Sequence, residues 1–188
     1  MMFLLLAGLG CSSPPPLDVT TASTPEASLQ LGKEVEARAM AAGPGAAHSS
    51  LGELSGDWAV VVQAGEVTVG SGLGSAERIH GGRFVLLKVS LDLDGSAVRS
   101  TGILGYDTAS RMYQALWVSD LSTEMTLLAG RGSLEGAGLQ LAGRSSEAEG
   151  VSRMQLLDED TFVTESWGRS PDGEPVLLRR SRYTRLRP

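Results

Sequence analysis

The chain has 188 residues with a formal net charge of −6, 24 glycines and a single cysteine. That length holds one domain plus a tail. The acidic balance argues against sequence-independent nucleic-acid binding, which needs a dominant positive field, and one cysteine excludes an intramolecular disulfide. In chain order, residues 1–10 form a short apolar run, followed by Cys11-Ser12-Ser13 and Pro14-Pro15-Pro16. Past residue 11 no stretch stays apolar for the roughly 18 residues that span a bilayer. Residues 12–23 are rich in Ser, Pro and Thr and read as a disordered tether. Thr24-Pro25-Glu26 is a helix start, with a hydroxyl cap, proline at the first helical position and an acid in the first turn. A helix is predicted over 25–42, stopped by Gly43-Pro44. Leu29, Val35 and Met40 give it only a thin apolar stripe, so the helix is marginal. A second, shorter helical turn is predicted from Ser50 to Leu54, ending at Gly56.

The rest reads as sheet. Alternation is clearest from Phe84 to Leu93. Val85, Leu87, Val89, Leu91 and Leu93 share one face, and Lys88, Ser90 and Asp92 share the other with Phe84 and Leu86. Asp94-Gly95 is then a two-residue hairpin signal. Further strands are predicted at about 58–63, 66–70, 97–105, 112–118, 125–131, 138–142, 151–157, 161–167 and 176–186. Turn chemistry separates them, at Gly65, Asp107, Ser119-Asp120, Glu135-Gly136, Ser145-Ser146, Asp158-Glu159-Asp160 and Pro171-Asp172-Gly173. About ten short strands with no helix between them predict an all-β fold, a single antiparallel up-and-down β-barrel over residues 48–188.

Residues 1–11 resemble a bacterial lipoprotein signal peptide, cleaved before a cysteine that is then acylated. No Lys or Arg precedes the run, and Gly8 stands where such a cleavage box usually has Leu. The resemblance implies a signal peptide at 1–10, a tether at 11–47 and a palmitate-bearing lipid anchor on Cys11. Each buried methylene contributes about 0.8 kcal/mol, so more than one chain makes a stable anchor. Ser12 after the cysteine implies, by the same resemblance, the outer membrane facing the periplasm.

Aromatic residues are scarce, yet Trp58, Phe84, Tyr106, Tyr113, Trp117, Phe162, Trp167 and Tyr183 all fall at strand landmarks. They fill the core or line a cavity for an apolar ligand, as small barrels permit. Gly56-Asp57-Trp58, preceded by a helical turn, resembles the opening motif of lipocalin-like barrels. That resemblance implies an arginine from the last strand packed on the Trp58 face, with Arg182 and Arg185 as candidates.

Together the landmarks resemble the bacterial family catalogued as domain of unknown function 1579. The family pattern His-x-x-Leu-x-x-Leu-x-Gly-x-Trp is met by His48 to Trp58 at every fixed position. Gly81-Gly82-Arg83-Phe84, Gly105-Tyr106-Asp107, Asp172-Gly173 and Tyr183-Thr184-Arg185 follow in order. One departure is the order Ser119-Asp120 after Trp117-Val118, where the family has Asp then Ser. A one-residue move can turn a carboxylate to the other face of a strand. The family has no agreed activity, so the resemblance implies a fold and not a reaction.

Tests for chemistry come back empty. No Gly-x-Ser-x-Gly elbow and no phosphate-binding glycine loop is present. Asp92-Leu93-Asp94-Gly95 looks like the opening of a calcium loop, but Ile103 stands where the bidentate Glu belongs. His48 and His80 lack ligand spacing, so no metal is assigned. His48 reads as packed at the helical turn and His80 as the start of a strand. Glu124, Glu165 and Asp120 are the best carboxylates for acid–base work and are expected to be solvated or paired with arginine. The basic last strand, Arg179, Arg180, Arg182, Arg185 and Arg187, is expected to pair with acids such as Glu165 and Asp160, or else to attract anionic lipid headgroups.

The leading expectation is therefore a non-catalytic envelope protein that binds or carries a small apolar or amphipathic ligand in its lipocalin-like barrel, without a cofactor. The candidate pocket or barrel-closing residues are Trp58, Arg83, Tyr106, Asp107, Trp117, Asp120, Glu165, Trp167, Tyr183 and Arg185. A solid barrel acting through its surface is the second expectation. An enzyme using Arg83, Tyr106 and Asp107 or Asp120 at a barrel mouth is the third.

Overall fold

The computed structural model describes residues 25–41, 43–144 and 149–187. The signal segment, Cys11, the tether, the Thr24 cap and the Ser145-Ser146 turn lie outside the described residues. The chain forms two units, Met1–Ala41 and Ala42–Pro188. In the first, α1 spans Pro25–Ala41. Leu29, Val35 and Met40 are all more than half exposed, so propensity and local pairs such as Gln30 with Glu34 sustain the helix.

The second unit opens with α2, Ala46–Gly52, one turn earlier than the sequence reading placed it. Its first turn is fixed by His48, whose Nδ1 accepts from the Gly45 N–H at 3.0 Å, a bond that spacing alone does not announce. Ten strands follow: β1 Gly56–Ala64, β2 Val67–Ile79, β3 Phe84–Leu93, β4 Ser96–Asp107, β5 Met112–Ser119, β6 Ser122–Gly132, β7 Leu139–Arg144, β8 Glu149–Asp158, β9 Thr161–Arg169 and β10 Pro175–Arg185. Each pairs antiparallel with the next, and β1 pairs with β10, closing the barrel. The seam sets Trp58 opposite Arg185 and Val60 opposite Tyr183.

In β3, Val85, Leu87 and Val89 are buried while Lys88 and Ser90 are exposed. The period-2 pattern thus sets the inner face. The Asp94-Gly95 turn has positive φ at both residues, 50° and 83°, the backbone of a two-residue hairpin that matches strand twist. The inner faces of the other strands add Trp58, Val60, Val62, Leu104, Leu139, Met154 and Phe162 to one core.

Two further elements differ from the sequence reading. β2 runs on to Ile79, because Ser71-Gly72-Leu73-Gly74-Ser75 is strand and not loop. A Cβ on Gly72 would lie 2.0 Å from the Ser90 carbonyl oxygen. The glycine is there because the neighbouring backbone comes close, as at a barrel corner. His80 does not begin a strand; it opens a 3-10 turn, His80–Gly82, with φ 51°.

Candidate functional site

One end of the barrel is plugged from the sequence upward. Gly56 has φ 136° and leaves room for a guanidinium, since a Cβ there would meet Arg185 Nη1 at 2.6 Å. Of the two arginines weighed, Arg185 lies over Trp58, 4.2 Å from the ring centroid. Arg185 also donates to the Ser55, Glu53 and Glu159 carbonyls at 2.6, 2.9 and 2.8 Å. It thereby ties the α2–β1 loop to the β8–β9 turn. Trp58 Nε1 donates to the Leu54 carbonyl at 2.9 Å. Below it, Phe162 meets the indole edge-on at 4.7 Å and stacks on Tyr183 at 4.1 Å. Burial pushes the Tyr183 phenol upward, against a hydrogen bond with Thr164 and the charge of Arg179. Leu51, Leu54 and Leu134, fully buried, complete the plug. Trp58, Tyr183 and Arg185 therefore form one structural cluster.

The outer wall holds a second grouping. Val85, Leu104 and Ala115 turn inward, so their neighbours turn out. Register places Leu86, Ile103, Leu116 and Leu127 in one row across β3 to β6. The next row is Phe84, Gly105, Gln114, Ala129 and Ala142. Phe84 lies over Gly105, where a Cβ would meet its ring at 2.5 Å. Ile103, Leu116 and Leu127 of the first row and all of the second floor a groove of about 600 Å³. At its head, against α2, are Arg83, His48, Tyr106, Asp107 and Thr108.

Arg83, Tyr106 and Asp107, expected at a barrel mouth, are thus brought together at the head of this groove. His48 Nε2 donates to the Tyr106 carbonyl at 3.1 Å, given that Nδ1 accepts from Gly45. Tyr106 packs edge-on against Tyr113 at 4.9 Å, and burial raises the Tyr113 phenol, with Tyr106 adding to it. Asp107 is held below its ordinary range, first by the Ser110 hydroxyl at 2.6 Å and then by the Ala109 N–H at 2.9 Å. That carboxylate shapes the β4–β5 turn.

The remaining candidates lie apart. Asp120 sits at the far end of the β4–β5 hairpin. Arg99 Nε donates to it at 3.0 Å and lowers its carboxyl. Trp117 faces inward across Gly102. Glu165 is buried on the outer wall between Arg180, at 2.5 Å, and Arg153, at 3.8 Å. Trp167 Nε1 donates to it at 3.3 Å. Trp167 also lines a second groove of about 450 Å³ with Ala142, Val151 and Pro175. The basic last strand pairs much as its charge pattern implied: Arg180 with Glu165, Arg185 with Asp160 at 3.7 Å, and Arg187 with Asp160. Among the described residues no group of acids, His or Cys is placed to hold a metal, and no helix is long and apolar enough to cross a membrane.

A closed antiparallel barrel plugged by a Trp–Arg pair defines a small lipocalin-like barrel protein. The S-type phycobiliprotein lyase CPES from Guillardia theta shares this fold, with 8% identity over 79% of this chain and 97% of that one and a TM-score of 0.51. At that identity the likeness concerns the fold alone. A redesigned β-barrel matches at 14% identity over 75% of this chain and 96% of its own, but its TM-score of 0.39 carries no argument. No curated protein sequence matches the chain. The chain belongs to the family described as Protein of unknown function (DUF1579), which it matches over residues 43–185.

Leu116, Leu127 and Ile103 escaped the list of sequence candidates. Apolar side chains in alternating strands read as core, and only the sideways register sets them in a row facing out.

Proposed function

We propose that this protein is a non-catalytic binder or carrier of a small amphipathic molecule, held in the outer-wall groove. The observation that carries this reading is the groove's layout: a polar head at Arg83, Asp107 and Thr108 leads onto a floor of Ile103, Leu116 and Leu127. Its volume, about 600 Å³, falls in the range of small-molecule sites, which are mostly apolar with a few placed polar groups. The closed barrel supplies a rigid wall beneath it. Asp107 and Asp120 are each engaged by hydrogen bonds that lower their carboxyl groups. That favours binding over acid–base chemistry, which needs a group poised near neutral pH.

The proposal also takes the protein to be anchored by acylated Cys11 in the cell envelope, on the outer membrane facing the periplasm. Its support is the apolar run, cysteine and Pro/Ser segment of residues 1–16. Incubating wild type and Leu127→Asp with envelope lipid extract, then recording native mass spectra, tests the binding. Wild type is expected to retain a small-molecule adduct that the variant loses; equal spectra would sink the reading. Palmitate labelling of wild type against Cys11→Ser tests the anchor, and equal labelling would remove it.

A second reading, an interaction module, is favoured by exposed Met125, two residues from Leu127 on the same face of β6. It predicts that Met125→Asp abolishes partner cross-linking in cells as strongly as Leu127→Asp does.

A further inference from the structure

We infer that the interior of the barrel, at the end opposite the plug, is a second binding site, one that takes a small organic anion with an apolar body. It is separate from the outer groove and does not depend on it. Its polar half comes from three adjacent strands. From buried Phe162, alternation turns Thr164 and Ser166 of β9 inward. From buried Tyr183 it turns Ser181 and Arg179 of β10 the same way. Register sets Ser152 of β8 opposite Ser166, and Ser166 opposite Arg179. One inward row therefore carries Ser152, Ser166 and Arg179, with Ser181 nearer the plug. The charge of Arg179 is felt at the Tyr183 phenol, so the guanidinium lies over the interior. Ser181 is 6% exposed, yet among the described residues its hydroxyl meets no hydrogen-bond partner. The same holds for the hydroxyls of Ser152 and Ser166, and among the described residues no ion pair engages Arg179. Glu124, the acid on the inward face of β6, is engaged by another group and does not pair with Arg179. Buried polar groups are nearly always hydrogen-bonded, so a buried hydroxyl aimed into an interior calls for a polar atom from whatever enters. A guanidinium fork beside three rotatable O–H groups is a set of donors suited to the oxygens of an acid group.

The facing wall dictates the rest of the ligand. Leu141 of β7 stands opposite Ser152 and is buried, as is Met154 two residues along β8. Leu128 of β6 and Trp117 of β5 turn inward and are only partly buried. The Trp117 ring lies flat along the wall over Gly102, where a Cβ would meet it at 2.7 Å. Its other face is thereby left toward the interior. Ser152, Thr164 and Ser166 are half-buried, so the interior is reached from this end. A Cβ on Gly150, the next inward position of β8, would meet only the Trp167 carbonyl oxygen, at 3.7 Å. Small barrels of this kind can hold one small ligand. A neutral hydrocarbon would leave the hydroxyls and Arg179 without partners. A cation would meet like charge, and a bare sugar would leave Trp117 and Leu128 uncovered.

The test is fluorescence titration of the full chain with anilinonaphthalene sulfonate and with phenylnaphthylamine, which keeps the rings and lacks the acid. Wild type is expected to bind the sulfonate more tightly than the neutral probe, and added salt should weaken the sulfonate alone. Arg179→Gln should weaken the sulfonate by about ten- to hundredfold and leave the neutral probe unchanged, with Arg179→Lys recovering part of the loss. Ser166→Ala should weaken the sulfonate by about fivefold. Leu127→Asp, in the outer groove, should leave the Arg179-dependent binding intact. Equal binding of the two probes to wild type, or binding of neither, overturns the inference. So does retention of the sulfonate by Arg179→Gln together with its loss from Leu127→Asp. The outer-groove role is judged separately, by its own adduct. Should Arg179→Gln weaken both probes alike, Ser166→Ala decides: loss of the sulfonate alone upholds the interior site, and any other result overturns it.

Discussion

The plugged end of the barrel and its outer groove are built from the same residue types to opposite effect. At the plug, Trp58, Phe162 and Tyr183 are buried and Arg185 is spread over three carbonyls and an aromatic face. At the groove, Phe84 and Leu127 face outward and are 39% and 64% exposed. Burying large side chains and pairing a guanidinium with several carbonyls stabilises a fold. Leaving an aligned apolar row in water does not, and such a row marks a surface with something to meet. The contrast teaches that the plug is built for stability, which leaves the outer groove, on the function proposed above, to serve binding.

Substitutions can break that contrast or sharpen it. The largest effect is expected of Trp58→Ala, which should lower stability by about 3–5 kcal/mol; urea unfolding followed by circular dichroism measures it. The small-molecule adduct in native mass spectra of the folded fraction should stay unchanged. Gly72→Ala drives a Cβ into the Ser90 carbonyl and should lower stability by about 1–3 kcal/mol, read in the same assay. Arg185→Met keeps the stem but loses the cation–π contact and three hydrogen bonds. It should lower stability by about 1–2 kcal/mol. Leu127→Asp should move stability within about 0.5 kcal/mol while abolishing the native-spectrometry adduct. A large loss of stability there would mean that the outer row is structural.

The smallest effect concerns acid. The folded carboxyl of Asp107 lies below its ordinary value of 3.8. Its contribution is therefore present above that value and lost as pH falls through the folded pKa. Carbon-detected titration by nuclear magnetic resonance should show the Asp107 inflection below 3.8, and Ser110→Ala should move it back up.

Much of the barrel was legible because alternation reports which face is which. In Phe84 to Leu93 the alternating residues Val85, Leu87 and Val89 are buried and Leu91 and Leu93 half-buried. The plug was legible too, since Gly56-Asp57-Trp58 and Tyr183-Thr184-Arg185 stand at the two ends of the sheet. The latter half of β2 was not legible. Gly72 and Gly74 look like a loop until the carbonyls they must pass are in view. The groove was half legible. Arg83, Tyr106 and Asp107 carry polar groups that draw notice, whereas Leu116 and Leu127 gain meaning only from facing each other across β5 and β6. Periodicity gives the face of a residue, and register between strands gives its neighbours.

The pairing of β1 with β10 has a consequence for biosynthesis. Ser55 and the arginine that binds its carbonyl are 130 residues apart, so the ring stays open while the ribosome works through the middle strands. During that interval β1 presents an unpaired edge, the kind of surface on which chains aggregate. Closure must wait for the last strand, which sets a slow folding step typical of contacts between distant segments. A protease that nibbles the carboxyl terminus past Arg185 would unlatch the indole and reopen the seam.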